Sequence, residues 1–302
     1  MSKIKTPLLS MGARGSLSDS LTFTQRRKVD IAEKKPTTPN MRTLAQMYQR
    51  WLYRDYCYQW TLQSAATKAI YAATASKKHT TAIAEWLRYN LNNLPDIEAW
   101  WQLDKISAST TPDSGKASLP GTVYGTNLVE GRISKAMNFD GSDNYVATPL
   151  VLPDEGTIEF WLAPGAAAGT RIEAFYGFYT SDGYGVYGVN WNDGKVYWMG
   201  IAPGFDGRIE TITSWPTSPF LVHYEWDCTT GKAYLYWNTV LKGSTVTFPT
   251  AFPAPDPIFI GSRSVDVAPG DYAMAWIDNF IVYNRQLDAN ERTMHYARRY
   301  PL

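Results

Sequence analysis

The sequence predicts a mainly β protein, a two-sheet sandwich or jelly roll, preceded by an extended basic arm and a helical hairpin. Aromatic residues make up 14% of the chain beside 22 Gly and 18 Pro, a composition typical of many short strands joined by tight turns. Residues 1–98 hold 15 Lys and Arg against 7 Asp and Glu, so +8, while residues 99–302 hold 14 against 21, so −7. This asymmetry indicates parts with different partners. Disordered, collagenous and disulfide-stapled classes are excluded by the 44% hydrophobic content and two cysteines.

Residues 1–40 are predicted to form the extended arm. Their apolar residues alternate with Ser and Thr before the run Arg26-Arg27-Lys28, and the alternation resumes at Val29 and Ile31, a pattern typical of one or two short strands. This much apolar surface is too small to form a hydrophobic core, so the arm is expected to lie against another protein. The alternative is a disordered tail. An acidic protein surface is favoured over nucleic acid, because the arm lacks interleaved aromatic residues. Its predicted partner-binding residues are Leu17, Leu21, Phe23, Arg26, Arg27 and Lys28.

Residues 41–98 are predicted to form a helical hairpin that anchors the protein. Apolar residues recur at three- and four-residue spacing from Leu44 to Ile70 and again from Ile83 to Leu91, with a break near residues 76–78. Two helices cannot easily close a core, so the hairpin is expected to pack on a partner or on the second domain. Trp51 is added to the partner-binding candidates, because Trp is enriched at interfaces.

Residues 99–302 alternate in the manner of a sandwich. In residues 223–228, Tyr224 and Trp226 share one side, while His223, Glu225 and Asp227 share the other, which is predicted to face solvent. A short closing helix is predicted with Asp288 as its N-cap. Further strands are predicted at 143–149, 156–162, 184–191, 195–201, 232–237, 257–261 and 276–283.

Five blocks of this region resemble laminin-G-like, concanavalin A-like jelly rolls. They are residues 134–146 (SKAMNFDGSDNYV), 156–161 (GTIEFW), 231–238 (GKAYLYWN), 258–261 (IFIG) and 276–287 (WIDNFIVYNRQL) with Glu291 after them. The resemblance implies a concanavalin-like jelly-roll sandwich over residues 99–302, with a short C-terminal helix. Trp276 and Thr239 depart from the family pattern, which often has Gly at both places.

Residues 15–46 resemble the amino-terminal region of certain tailed-phage virion proteins. That resemblance implies a structural protein of a bacteriophage virion, assembled in the host cytoplasm, in a capsid decoration or head-fibre role or in the tail. Its partners would be other virion proteins and further copies of itself. No membrane partner is expected, since the first 15 residues lack the apolar core of a secretory signal and no apolar run could span a bilayer.

The sequence predicts no enzyme. Glycoside hydrolases of this fold need a Glu-x-Asp-x-x-Glu strand, whereas Glu225 and Asp227 are followed by Thr230 in the place of the acid. The three histidines lie outside any Gly-x-Ser-x-Gly context, and no phosphate loop or zinc-binding cluster is present. We therefore expect no required cofactor.

A structural calcium ion is implied by the resemblance. The aspartate of the family's last strand falls on Asp278, and related sandwiches pair it with an early-strand acid, here Asp104. The alternative is that Asp278 only accepts backbone N–H groups.

A glycan site is predicted from the aromatic residues between 176 and 198, which are interspersed with Asn and Asp. Its candidate ligand-binding residues are Tyr184, Tyr187, Trp191 and Asn192, with core packing as the alternative for most of the rings. The predicted function is a virion protein that displays a carbohydrate-binding domain for host attachment. A free carbohydrate-binding module and a glycan hydrolase are the alternatives.

Overall fold

A computed structural model describes residues 15–17, 21–26, 29–34, 43–165, 172–191, 195–211, 215–216, 218–250, 257–265 and 268–298. The chain separates into two compact units, Met1–Thr43 and Leu44–Leu302. The first contains an antiparallel sheet of three strands, β1 (Gly15–Leu17), β2 (Leu21–Arg26) and β3 (Val29–Lys34), in the order β1-β2-β3. Leu17, Leu21, Phe23 and Arg26 of the predicted arm lie on these strands, whereas Arg27 and Lys28 lie outside the described residues.

The second unit begins with three helices where two were predicted. They are α1 (Leu44–Leu62), α2 (Ala65–Lys77) and α3 (Ala82–Asn93). The first predicted helix is divided because Ser64 is an N-cap, its side chain accepting the N–H of Thr67. Between α2 and α3 the chain turns at residues 78–81, and the Thr81 side chain caps α3. No helix among the described residues has the length and apolarity to cross a membrane.

Two antiparallel sheets follow, and the predicted sandwich is confirmed. One sheet lies between the helices and the other sheet and is called the middle sheet. Its eight strands among the described residues are β4 (Ile97–Trp101), β7 (Asn127–Glu130), β8 (Lys135–Asp140), β10 (Glu155–Pro164), β15 (Phe220–Asp227), β16 (Lys232–Trp237), β17 (Val240–Thr245) and β21 (Met274–Tyr283). They have the order β17-β16-β15-β10-β21-β8-β7, with β4 paired to β21.

The outer sheet has ten strands among the described residues, in the order β14-β13-β12-β11-β18-β9-β6-β5, with β19 paired to β11 and β20 to β19. They are β5 (Thr110–Thr111), β6 (Gly121–Tyr124), β9 (Tyr145–Ala147), β11 (Glu173–Tyr179), β12 (Gly185–Trp191), β13 (Lys195–Ala202), β14 (Phe205–Thr211), β18 (Phe259–Ile260), β19 (Arg263–Val265) and β20 (Ala268–Gly270).

Large aromatic side chains fill the space between the two sheets. Phe160 of the middle sheet contacts Tyr176 and Trp198 of the outer sheet at ring-centroid distances of 5.6 and 6.2 Å. All three are fully buried, as alternation predicts for residues on the inner side of each strand. Helix α4 (Ala289–Tyr296) follows β21, and its predicted cap is confirmed: the Asp288 side chain accepts the N–H of Glu291, and the Glu291 carboxylate accepts the N–H of Asp288.

Helices α1, α3 and α4 cover the other face of the middle sheet. The prediction that the His223 and Glu225 side of β15 faces solvent is therefore wrong. His223 is fully buried and Glu225 is 2% exposed, because the helix layer lies over them. The α1 stripe of Tyr48, Trp51, Leu52, Asp55 and Tyr56 has the spacing of one helical face and is buried. Trp51 was predicted to bind a partner; it is 6% exposed and packs into the apolar cluster between the helices and this sheet, which corrects that prediction.

Candidate functional site

The open face of the outer sheet carries a second apolar cluster. Side chains alternate along β12 and β13, so that Val186 and Trp198 enter the sandwich core while Tyr187, Tyr197 and Met199 lie on the opposite face. None of the helices described above covers this face. Aromatic residues on a sheet face of this kind are a common base for ligand sites.

A cleft of about 450 Å³ lies on this face, over strands β12 to β14. Phe205 is 43% exposed at one side, and Trp191 is half-buried. The Arg208 guanidinium lies 5.0 Å from the centroid of the Tyr197 ring and forms an ion pair with Asp206 at 3.1 Å. The lining residues are Gly183, Tyr187, Trp191, Tyr197, Met199, Ile201, Ala202, Pro203, Phe205, Asp206 and Arg208.

The structure brings two of the four predicted glycan residues together. Tyr187 and Trp191 both line the cleft, although Tyr187 is 4% exposed because the Arg263 guanidinium lies 4.8 Å above its ring. Tyr184 is half-buried in the turn before β12, where its backbone pairs with Thr180, and it is not among the described lining residues. Asn192 lies outside the described residues.

A buried polar network that the sequence did not reveal fastens the helices to the middle sheet. Glu159 of β10 accepts from His223 Nε2 at 3.0 Å and from His295 Nδ1 at 2.6 Å through the same oxygen, Oε2. Asp55 of α1 pairs with Arg298, just after α4, and lies 3.6 Å from His295 Nε2. These five side chains are nearly or fully buried, so their charges are compensated within the network.

The pKa values in this network follow from burial and the neighbouring charges. Burial disfavours both carboxylates, yet Arg298 and His295 hold the pKa of Asp55 at about 2, and the two histidines hold that of Glu159 well below its usual range. Burial and Arg298 oppose protonation of His295, but Glu159 and Asp55 together raise its pKa. Burial lowers the pKa of His223 in spite of Glu159. A protonated His295 therefore balances the two carboxylates together with Arg298.

The donor set of this network is two imidazoles and a carboxylate, whose ligand atoms all lie within 4.8 Å of one another. That set is one used by zinc. However, Glu159 Oε2 already joins both imidazoles by hydrogen bonds, and Arg298 Nη1 is 3.5 Å from Oε1. Two imidazoles and the arginine thus already engage both oxygens of the Glu159 carboxylate, which a metal ion would need as a ligand.

The residues implied for calcium lie near each other. Asp278 is 1% exposed; its Oδ2 accepts the N–H of Ile133 at 2.8 Å, while its Oδ1 is buried without a hydrogen-bond partner. Burial raises the pKa of Asp278 to about 7, and the nearby charge of Asp104 adds to this effect. The Tyr48 hydroxyl, close to both carboxylates, is also buried without a partner. A hard cation with oxygen ligands fits these unsatisfied oxygen atoms.

The two acids nearest to a glycosidase motif are separated by their surroundings. Glu225 lies under α4 in an ion pair with Arg292 at 2.8 Å, and burial raises its pKa to about 7 despite that partner. Asp227, at the end of β15, accepts the backbone N–H of Thr229 at 2.7 Å and the hydroxyl of Thr230 at 2.8 Å. Neither carboxylate lines the aromatic cleft.

Residues 140–291 match the Laminin_G_3 family model, described as the concanavalin A-like lectin/glucanases superfamily. The chain belongs to this superfamily. The match spans the strands from the end of β8 through β21, so the predicted resemblance is confirmed for the sandwich. No curated protein sequence gives a significant match.

Solved structures share the superfamily fold with this chain at low sequence identity. One is domain 4 of AbnA, a GH43 extracellular arabinanase from Geobacillus stearothermophilus, solved in complex with arabinotriose. Its sequence is 22% identical to this chain, and the structural match has a TM-score of 0.54 and covers 67% of this chain and 98% of that domain. The receptor-binding domain of botulinum neurotoxin type G is 14% identical to this chain, and the match has a TM-score of 0.51 and covers 67% of this chain and 51% of the toxin domain. The binding domain of Paraclostridial Mosquitocidal Protein 1 is 15% identical to this chain, and the match has a TM-score of 0.52 and covers 67% of this chain and 52% of that domain. The chain thus spans about half of these toxin domains, and all three likenesses concern the fold alone.

Proposed function

We propose that this chain is a carbohydrate-binding protein whose ligand lies in the cleft over strands β12 to β14. The observation that carries the proposal is the aromatic lining of that cleft, with Trp191 and Phe205 accessible beside the stacked pair Tyr197 and Arg208. Flat rings pack on the apolar faces of sugars, and the carboxylate and guanidinium at the rim can hydrogen-bond hydroxyl groups. The arabinotriose in the complex of AbnA domain 4 is consistent with this proposal.

A glycan array followed by calorimetric titration of the full chain tests the proposal. Phe205→Ala and Trp191→Ala should each weaken binding of the array's best glycan about three- to tenfold, the range expected for one aromatic contact. Tyr89→Ala is the matched control, because Tyr89 is 49% exposed on helix α3, away from the cleft lining. An array without signal, or equal losses in all three variants, would contradict a site in this cleft.

Binding without catalysis is part of the proposal. Glu225 is ion-paired beneath α4 and Asp227 is engaged in its own turn, so neither is placed to protonate a leaving group at the cleft. If the chain were a hydrolase that used Glu225, Glu225→Gln would abolish release of reducing sugar. We expect no such release from the unaltered chain.

We also propose that residues 1–43 attach the protein to a bacteriophage virion, in the head or the tail, and that it associates there with other virion proteins and with further copies of itself. This rests on the resemblance of residues 15–46 and on charge: residues 1–43 hold 9 Lys and Arg against 3 Asp and Glu, so +6, and residues 44–302 hold 20 against 25, so −5. A basic segment of this kind suits an acidic protein surface. Deleting residues 1–43 should prevent incorporation into particles and leave glycan binding unchanged. Normal incorporation of the shortened chain would contradict the attachment role.

Calcium is proposed as a structural ion held by Asp278 and Asp104. When bound, it would neutralise two neighbouring carboxylates in a poorly solvated place, which should raise the melting temperature. Differential scanning calorimetry of chelated protein with added CaCl₂ should show this increase, and Asp278→Asn should remove it. Asp140→Asn, an exposed control, should keep it. Equal melting temperatures with chelator and with CaCl₂ would contradict the calcium site.

A further inference from the structure

The aromatic cleft is one end of a longer row of side chains on the open face of the outer sheet. Strand pairing places Tyr124 of β6 directly opposite Tyr145 of β9. Phe259 of β18 is opposite Ala147 of β9, two residues from Tyr145, and opposite Gly177 of β11. Farther along, Gly177 is opposite Tyr187, Tyr187 is opposite Met199, and Met199 is opposite Arg208 of β14. At about 4.8 Å between neighbouring strands, a row across these seven strands is about 30 Å long. We call this row the aromatic belt.

The end of the belt opposite the cleft is a stack of three rings. Tyr124 and Tyr145 are nearly parallel, with centroids 4.4 Å apart and planes 9° apart, and Tyr145 continues onto Phe259 at 5.2 Å and 21°. Tyr124 closes the stack and is 45% exposed. Because the Tyr145 ring, itself stacked on Phe259, packs against one side of Tyr124, the Tyr124 ring is held in place and can offer its accessible surface to another flat group at little entropic cost.

In the middle of the belt, a glycine and an arginine limit how far side chains project from the sheet. Gly177 has φ of 130°, and a Cβ there would lie 2.5 Å from the Cβ of Tyr187, so a side chain is excluded between the two aromatic groups. The Arg263 guanidinium lies 5.3 Å from the centroid of the Tyr179 ring and 4.8 Å from that of Tyr187. Phe259 is 7% exposed and Tyr187 is 4% exposed, so the accessible group between the ring stack and the cleft is the Arg263 guanidinium, whose side chain is 15% exposed and lies over the two tyrosine rings.

The charges on the belt compensate each other. Arg263 is paired with Asp271 at 2.6 Å, and Arg208 with Asp206 at 3.1 Å. A groove for single-stranded nucleic acid combines stacking rings with excess positive charge along the backbone path. Here each belt arginine has an acidic partner and residues 44–302 carry a net charge of −5, from 20 Lys and Arg against 25 Asp and Glu. An uncharged ligand with repeated apolar faces suits the belt better than a polyanion.

We propose that the aromatic belt binds an internal stretch of a linear, uncharged polysaccharide that runs across the strands from Arg208 to Tyr124. This inference rests on the proposed carbohydrate-binding function and extends it, since the cleft alone would hold only one end of such a stretch. Successive sugar rings would pack on the cleft, on the guanidinium of Arg263 and on the ring of Tyr124. Affinity should therefore increase with the length of the ligand.

Calorimetric titration of the full chain with arabino-, xylo- and cello-oligosaccharides of two to six sugars tests this proposal. For the series that binds, the hexasaccharide should bind at least about tenfold more tightly than the disaccharide, the product of two or more added ring contacts. Tyr124→Ala should weaken hexasaccharide binding about three- to tenfold and leave disaccharide binding unchanged, whereas Tyr124→Phe should keep the affinity of the unaltered chain. Tyr89→Ala, on helix α3, should change neither.

Three results would overturn the proposal. Equal affinity for the disaccharide and the hexasaccharide would refute the belt and leave the cleft as the glycan site. Binding that increases with length but is indifferent to Tyr124→Ala would place the longer ligand on another path. Competition by oligo-dT with an affinity that falls steeply with salt would identify the belt as a nucleic-acid surface. If no saccharide of the three series binds although the glycan array yields a ligand for the cleft, the belt is refuted and the cleft remains; an array without signal as well would refute both.

Discussion

Replacing Asp55 by alanine tests how firmly the helix layer is attached to the middle sheet. The carboxylate of Asp55 is in contact with Arg298 and close to His295, and both cations are buried. Without it, Glu159 alone faces two positive charges. Removing one partner from a buried ionic network costs about 3–5 kcal/mol, because the remaining charge can neither be solvated nor be paired. For a unit of this size that corresponds to a fall in melting temperature on the order of 10 °C.

The pKa of Asp55 gives a second measure of the same interaction. Its pKa falls from an ordinary 3.8 to about 2, which corresponds to about 2 kcal/mol of stability. Because the pKa is lowered in the folded state, this contribution is present above pH 3.8 and is lost as the pH falls through about 2. The alanine variant is expected to lose more than this, since it also leaves Glu159 as the single carboxylate that balances both Arg298 and His295.

Urea unfolding followed by tryptophan fluorescence measures the free energy of unfolding for each variant. The matched control is Lys135→Ala, which removes an ion pair with Glu130 whose side chains are 45% and 82% exposed, so its cost should stay below about 1 kcal/mol. Asp55→Ala should have a far lower midpoint at pH 7, and the difference should shrink below pH 3. If Asp55→Ala and Lys135→Ala were equally stable at pH 7, the reasoning about the buried network would be refuted.

Three further predictions concern single residues. NMR titration of the imidazole nitrogens of His295 should show the ring still protonated above the ordinary histidine pKa of 6.5. The stability that this protonation contributes should be complete below pH 6.5 and be lost as the pH rises through the raised pKa. A neutral ring at about pH 6 would contradict this. Gly177→Ala should lower the free energy of unfolding by about 2 kcal/mol, because the new Cβ meets Tyr187; unchanged urea midpoints would count against the close approach. Asp288→Ala should cost about 1 kcal/mol through the lost cap of α4, measured in the same way, and a neutral effect would show that the cap does not hold the helix.

The sandwich could be predicted from the sequence because its signals are local. Period-two alternation in residues 184–191 and 195–201 corresponds to β12 and β13 within a residue, and the cap at Asp288 is a four-residue pattern. The match over residues 140–291 confirms the family signature in the same region. Strands β6, β7 and β14 were not singled out, since their residues show little apolar alternation to detect.

The helix layer and its ionic network could not be predicted, because they depend on contacts between distant segments. Asp55 meets Arg298 across 243 residues, and Glu159 meets His295 across 136. The alternation in β15 correctly placed His223 and Glu225 on the face opposite Tyr224 and Trp226. It could not reveal that helices cover that face, so buried charged residues looked like solvent-exposed ones.

The candidate glycan site was predicted in part for a related reason. The aromatic run singled out Tyr187 and Trp191 as candidates, and both line the cleft because they share the parity of β12. Phe205 and Arg208 reach the cleft from β14, and Tyr124 reaches the aromatic belt from β6. Only strand pairing brings these segments together, and a single sequence does not specify it.

The proposed carbohydrate-binding function depends most on where a sugar binds, and a crystal structure of the full chain with its best-binding oligosaccharide measures this directly. We predict density for the oligosaccharide on the open face of the outer sheet, in contact with Trp191 and Phe205 and extending toward Tyr124. Density in the polar cleft of about 430 Å³ between helices α1 and α4, beside Gln59 and Asp288, or anywhere else off this face, would contradict the account.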